Sequence, residues 1–282
     1  MTRSFWQTSR FKINLQEPKV MGIVNVTPDS FSESGDHGSL SQALQYAQLQ
    51  LAHGADMLDV GGESSRPGAS PVSLEEELGR VLPFLKEAIT WGVPISVDTC
   101  KPEVMKAALE IGADIINDIG ALRQPGALEV IRDHGRCGVC LMHMHRDPQT
   151  MQKQPMLGDV LNEVTDFLSA QIVRLRDGGV QSDRIVLDPG IGFGKTDDQN
   201  LTLLRHQKSL LALGQPLLAG WSRKSTLGNL SRIQNEVPDA KHRLGASVAA
   251  ALMAVQMGAS VVRVHDVRET VQALRVWRAV KA

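Results

Sequence analysis

Polar and charged side chains recur where short apolar runs of this chain end: Asn25, Asp59, Asp98, Asn117, His143, Asp188, Ser222 to Lys224, and Arg263 with His265. Burying an unpaired charge is costly, so this many endings of that kind point to a polar ligand. Asp98, Asn117 and Asp188 supply carboxylate acceptors and an amide, suited to a flat heterocycle carrying N–H donors and ring nitrogens. Arg66, Lys224, Arg263 and His265 suit an anion, and guanidinium groups grip phosphate oxygens in bidentate fashion. Asn25 offers an uncharged oxygen that, beside a phosphate, is able to complete a Mg2+ site.

One ending is built differently from the rest. In Ile185-Val-Leu-Asp188-Pro-Gly190-Ile-Gly192-Phe-Gly194-Lys195, a run suited to a buried strand stops at a carboxylate and turns through glycines at every second position. Two nucleotide-binding patterns come close and fail. A phosphate-cradling loop needs a glycine five residues before Gly194, where Pro189 stands. A dinucleotide fingerprint needs its third glycine one residue later than Gly194.

Other chemistry is thinly represented. No catalytic triad, metal-ligand cluster or Schiff-base arrangement is evident. His143-Met-His145 lacks a third ligand, so a structural role is expected. Lys224, flanked by Arg223 and two serines, reads as part of an anion site rather than as a desolvated amine nucleophile. Cys137-Gly-Val-Cys140 runs into a strand instead of opening a helix, where a thiol pKa falls, and residues three apart on a strand face opposite sides. Three cysteines in 282 residues suit a reducing cytoplasm. A net charge of −1 leaves no footprint for nucleic acid or an acidic membrane. Met1 to Leu15 has no continuous apolar core, so no signal peptide is expected, and the apolar run Ala246 to Met257 is too short to span a bilayer.

Something must bring these endings together. Strands are expected at Val20–Asn25, Met57–Gly62, Pro94–Asp98, Asp114–Asp118, Val139–His143, Ile185–Asp188, Pro216–Trp221 and Val261–His265. Between them fall helical stretches. The first is Leu40–His53, with Ser39 or Ser41 as N-cap and Gly54 beyond its end. Ser73 and three following glutamates open the second, and Pro102 takes the first position of the third. The others are Pro125–His134, Asp159–Gly178 with one apolar stripe, Asn200–Leu213, Arg243–Met257 and Arg268–Lys281. Arg232 to Lys241 reads as a mobile surface loop. Strict alternation of strand and helix argues for a parallel sheet, and eight such units in one domain, residues 1–282, for a (β/α)8 barrel. Phe5, Trp6, Phe11, Ile13 and Leu15 are expected in a short hairpin covering the barrel bottom. Active sites of such barrels lie at the C-terminal ends of the strands, where the polar endings fall. The loops after the first two strands, Val26 to Ser32 and Gly61 to Gly68, combine turn residues with Phe31 and Arg66, the character of lids closing over substrate.

Asn25-Val-Thr-Pro-Asp-Ser-Phe31, Gly61-Gly-Glu-Ser-Ser-Arg-Pro-Gly68, Ser96-Val-Asp98, Ile116-Asn-Asp118, Leu187-Asp-Pro-Gly-Ile-Gly-Phe-Gly194, Ser222-Arg-Lys-Ser225 and Arg263-Val-His265 together resemble the motifs of bacterial dihydropteroate synthases, in order and over nearly the whole chain. The resemblance implies a (β/α)8 barrel, most often a homodimer. It implies joining of 6-hydroxymethyl-7,8-dihydropterin pyrophosphate to p-aminobenzoate with Mg2+, and inhibition by sulfonamides, which mimic p-aminobenzoate. It places Asp98, Asn117, Met142, Asp188, Lys224 and Arg263 on the pterin. Asn25, Ser65, Arg66, Arg263 and His265 fall on the pyrophosphate, with Asn25 also on the metal. Phe31, Pro67, Phe193, Lys224 and Ser225 fall on p-aminobenzoate, and Asp98, Asp188, Lys224 and Arg263 carry the catalysis. Two residues depart from the pattern: Ser65 stands where threonine is usual, and Trp221 is bulkier than usual; both are expected to bear on affinity. The alternatives are a pterin-binding methyltransferase domain, which lacks the pyrophosphate cluster and lids, and a non-catalytic pterin-binding paralogue.

Overall fold

Strands that are apolar at successive positions must be covered on both faces, and a parallel sheet closed on itself with helices outside does this. The computed structural model describes residues 4–27, 36–64, 68–151 and 153–281, with the backbone alone at 36–39. An antiparallel hairpin, β1 (Phe5–Gln7) and β2 (Lys12–Asn14), comes first. The strands β3 (Lys19–Asn25), β4 (Met57–Gly61), β5 (Ile95–Asp98), β6 (Ile115–Asp118), β7 (Gly138–Met142), β8 (Ile185–Asp188), β9 (Leu217–Ala219) and β10 (Ala259–Val264) follow. These eight close into a barrel in the order β10-β3-β4-β5-β6-β7-β8-β9, every pair parallel.

The side-chain period of two sorts each strand into an inner and an outer face. Met21, Met57, Ile115, Cys140, Val186, Leu218 and Val261 form one inner apolar cluster, and Trp6, Ile13 and Leu15 of the hairpin belong to it. The hairpin therefore plugs the barrel bottom, as expected, and the Trp6 indole donates to the Arg184 carbonyl at 2.8 Å. The alternate residues, such as Ile185 and Leu187, join a larger cluster between barrel and helices. Cys137 lies in that outer cluster and Cys140 in the inner one. Both are free thiols on opposite sides of the barrel wall, and burial raises the pKa of each. They form no redox pair.

The outer layer is α1 (Asp36–Ala52), α2 (Leu74–Ala88), α3 (Pro102–Ile111), α4 (Ala127–His134), α5 (Val160–Asp177), α6 (Asp197–Arg205), α7 (Gln207–Leu210), α8 (Ser225–Leu230), α9 (Leu244–Gln256) and α10 (Val267–Lys281). Ser73 caps α2 by accepting from Glu76 N, and Asp159 caps α5 through Leu161 N and Asn162 N. Two expectations need correction. Helix α1 begins at Asp36, so neither Ser39 nor Ser41 is its N-cap; a serine inside a helix costs only about 0.5 kcal/mol. The stretch expected as one helix over 200–213 breaks at His206 into α6, α7 and a 3-10 turn at Leu211–Leu213. Buried Gln207 causes the bend by donating to the Ala254 and Met257 carbonyls. Trp221 sits in the outer core, 1% exposed, and does not line the cavity at the strand ends. The polar stretch 232–241 is mostly exposed and carries a tight turn at Gln234 and Asn235, closed by pairing of Ile233 with Glu236.

Candidate active site

On the inner face, the residue two positions beyond the apolar plug points into the upper barrel. Met57 is followed by Asp59, Ile115 by Asn117, Cys140 by Met142, Val186 by Asp188 and Val261 by Arg263. A cavity of about 380 Å3 opens there. Its lining includes Asp98, Asn117, Met142, Asp188, Lys224 and Arg263, every residue expected on the heterocycle. Asn25 and His265, expected on the anion, and Phe193 and Ser225, expected on the second substrate, line it too. Ile23 and Ile119 add apolar wall. Phe31, Ser65, Arg66 and Pro67 lie outside the described residues.

Arg263 organises the floor. Its Nε lies 2.5 Å from Asp59 Oδ2 and its Nη2 2.7 Å from Asp98 Oδ2. Asn117 Nδ2 donates to the same Asp59 oxygen at 3.0 Å. Asp59 was legible only as one more polar strand residue, yet it lies fully buried and is bonded to two of the expected heterocycle ligands, Asn117 and Arg263. The period of two, counted from Met57, is the signal that places it. Burial works against the Arg263 charge, but Asp59 and Asp98 outweigh it and raise its pKa. Burial also pushes Asp98 up to about 7, with Arg263 opposing and Asp59 adding to the rise. One guanidinium shared by two carboxylates leaves negative charge uncompensated in the floor.

Asp188 accepts from Gly190 N at 2.7 Å. Burial raises its pKa, opposed by that N–H and by Lys224 and Arg263. Burial lowers Lys224 to about 8, with Asp188 pulling the other way. The Lys224 ammonium stands 4.1 Å from the centroid of the Phe193 ring. On the opposite side, Ser222 Oγ accepts from His265 N at 3.1 Å and faces His265 Nδ1 at 3.0 Å. Donation of the hydroxyl proton to Nδ1 would leave Nε2 as the ring donor. Arg223 pairs with Asp266 at 2.5 Å and stands at φ 60 in the turn at the cavity edge.

His143, the first imidazole of His143-Met-His145, packs inside the fold. His143 Nδ1 is 2.9 Å from Lys195 Nζ, and its ring stands edge-on to Phe167 with centroids 5.0 Å apart. Burial and the Lys195 charge lower its pKa to about 3. Among the described residues, no three His, Cys, Asp or Glu side chains cluster to hold a metal.

The glycine stretch is a turn that no side chain fits. Gly190 has φ 69, and a Cβ there would meet the His143 carbonyl oxygen at 1.8 Å. Gly192 has φ 79, with a Cβ contact of 3.1 Å to the Lys224 stem. The turn swings Phe193, 8% exposed, back against the cavity.

A parallel barrel with a carboxylate–amide floor is the make-up of a heterocycle-binding enzyme, and the family model described as pterin binding enzyme matches residues 21–265. Dihydropteroate synthase of Neisseria meningitidis serogroup B is 50% identical, covering 99% of this chain and 98% of its own length. Dihydropteroate synthase of Burkholderia cenocepacia, solved in complex with 7,8-dihydropteroate, superposes with TM-score 0.88 at 48% identity, over 100% of this chain and 98% of that one. The Yersinia pestis enzyme, in a sulfonamide drug complex, superposes with TM-score 0.91 at 43% identity, over 98% and 99%. The chain belongs to this pterin-binding family and, within it, to the dihydropteroate synthases.

Gly190→Ala is expected to lower stability by more than about 2 kcal/mol in urea denaturation, since the methyl needs the His143 carbonyl to move at a strained φ. A loss below about 0.5 kcal/mol would show that the two loops are not locked together.

Proposed function

We propose that the residues of this cavity divide the labour of dihydropteroate synthesis. The protein is a transferase that joins 6-hydroxymethyl-7,8-dihydropterin pyrophosphate to p-aminobenzoate, giving 7,8-dihydropteroate and pyrophosphate. The observation that carries this reading is the sorting of charge: acceptors and an amide on one floor, with Lys224 between them and Phe193, and His265 beside Arg263 and Asn25 at the first and last barrel strands. A relative 50% identical over nearly its whole length is a dihydropteroate synthase, and the Burkholderia enzyme was solved in complex with 7,8-dihydropteroate.

Asp98, Asn117 and Asp188 hydrogen-bond the pterin ring, with Met142 and Arg263 packing on it and Lys224 at its edge. Arg263 and His265, with Ser65 and Arg66, hold the pyrophosphate. The C–O bond to the pterin methylene breaks, and pyrophosphate leaves with the electron pair. The cation left on the methylene is conjugated to the ring, where Asp98 and Asp188 stabilise it through the uncompensated charge of the floor. The p-aminobenzoate nitrogen then forms the C–N bond and loses a proton. Phe193, Lys224 and Ser225, with Phe31 and Pro67, position that ring, and sulfonamides compete for the same place. No nucleophilic side chain is needed, because the leaving group departs once its charge is held.

Asn25, half-buried at the end of β3, fits a Mg2+ ion that draws most of its ligands from pyrophosphate oxygens and water. Such an ion supplies neutralisation of the charge growing on the leaving group. The free, buried thiols support a reducing cytoplasm. No helix among the described residues is long and apolar enough to cross a membrane. Met253, Val276 and Val280 are exposed apolar residues on the adjacent helices α9 and α10, and a homodimer through these helices would cover them.

Purified protein given both substrates and Mg2+ is expected to release pyrophosphate and form dihydropteroate, and to stop with EDTA; no turnover overturns the assignment. Asp98 must be ionised to stabilise a cation, so kcat/KM for the pterin substrate is expected to fall about tenfold per unit below an apparent pKa near 7. Asp98→Asn should lose that acid limb together with about 100-fold of rate. The stability sign is opposite: Asp98 binds its proton more tightly folded than unfolded, so its stabilising contribution is full below about pH 4 and is lost as pH rises through about 7. Met253→Asp with Val276→Asp is expected to give a monomer in sedimentation analysis, and an unchanged mass would move the interface elsewhere.

A further inference from the structure

Lys195 closes the glycine stretch and has no part in the chemistry above. It is 3% exposed and does not line the cavity. Among the described residues no carboxylate lies within ion-pair distance of it. Burial lowers its pKa to about 7, with Asp188 opposing. An ammonium held in the interior without a counterion is costly unless its protons are all bound, and here they are. Nζ lies 2.9 Å from His143 Nδ1, 2.9 Å from the Gly190 oxygen, 3.2 Å from the Phe193 oxygen and 3.3 Å from the His143 oxygen.

These four acceptors belong to only two pieces of chain. His143 follows β7, and Gly190 and Phe193 are the two ends of the glycine turn, itself closed by Phe193 N donating to the Gly190 oxygen at 3.1 Å. The Lys195 amine is thus a cross-link between neighbouring strand ends. His143 is prepared to accept from it: the imidazole is kept neutral, and the Phe167 ring fixes its plane. The side chain that the cross-linked turn presents to the cavity is Phe193, under the Lys224 ammonium.

We propose that Lys195 is a positioning residue for the amine half of the reaction: by fastening Gly190 and Phe193 to His143 it fixes the Phe193 ring and its contact with Lys224, and so sets the wall against which p-aminobenzoate lies, without touching either substrate. The proposal rests on the placement of Phe193 beside p-aminobenzoate.

The test is a double-mutant cycle on the full-length enzyme, with both substrates varied. Lys195→Met is expected to raise KM for p-aminobenzoate about tenfold while kcat and KM for the pterin pyrophosphate stay within about twofold. Phe193→Ala should raise the same KM, and the double variant should be no worse than Phe193→Ala alone, because both changes remove one wall. Lys195→Gln keeps N–H donors for the same carbonyls and should fall between wild type and Lys195→Met; it replaces Lys195→Met in the cycle if that variant does not fold. Equal losses for both substrates, or multiplicative effects in the double variant, would mean that Lys195 only stabilises the fold and overturn the proposal. An effect of Phe193→Ala with none from either Lys195 variant overturns it as well. Phe193→Ala without effect on that KM overturns the placing of Phe193 itself, and the proposal with it.

Discussion

One guanidinium stands between two buried carboxylates, and the rest of the site depends on that imbalance. Arg263 meets Asp59 through Nε and Asp98 through Nη2, and Asn117 is tied to the same Asp59 oxygen. The other cation of the cavity, Lys224, is drawn chiefly to Asp188 and less to Asp98, so the Asp59–Asp98 pair keeps acceptor character toward a positive charge on a bound ring. The floor holds Asp98 near neutrality in its titration and sets Asp188 against a weakened Lys224. Such groups oppose the folded state, and the apolar plug below them and the helix layer outside must offset the cost.

The barrel makes this possible by geometry. A strand with period two sends alternate residues inward, so one face of one strand can carry an apolar residue at the bottom and a charge at the top. Val186 and Asp188 are two residues apart and serve opposite purposes. Closure from β10 to β3 then brings together groups more than 200 residues apart in sequence, as Arg263 and Asp59 are. Because closure leaves no sheet edge, the strand ends are free to differ in chemistry without exposing backbone.

Identical side chains acquire separate duties from their partners. His143 is buried against a cation and an aromatic ring, which makes it a neutral acceptor holding a loop. His265 shares two contacts with Ser222, which orients it at the cavity wall. Lys224 and Lys195 differ in the same way. The first faces Asp188 and the Phe193 ring in the cavity, and the second is enclosed by carbonyls behind it.

Much of this was legible from the residues alone. Alternation of strand and helix fixes a parallel sheet because each crossover needs a helix, and eight units are enough to close one. The polar endings of those strands named much of the cavity: Asn25, Asp98, Asn117, Asp188, Ser222, Lys224, Arg263 and His265 line it, and the family resemblance added Met142, Phe193 and Ser225. The sequence did not reveal partners. Asp59 looked no different from Asp98, and only closure of the barrel set it beneath Arg263. Lys195 stood out only as the end of the glycine stretch, and folding alone turned it behind its own loop. The bend at His206 likewise followed from Gln207 reaching a helix about 50 residues away. Local sequence determines which residues face inward, since that depends on a repeat of two along one strand. Which inward residues meet depends on distant strands arriving side by side, and only the tertiary structure decided that Arg263 would serve two carboxylates at once.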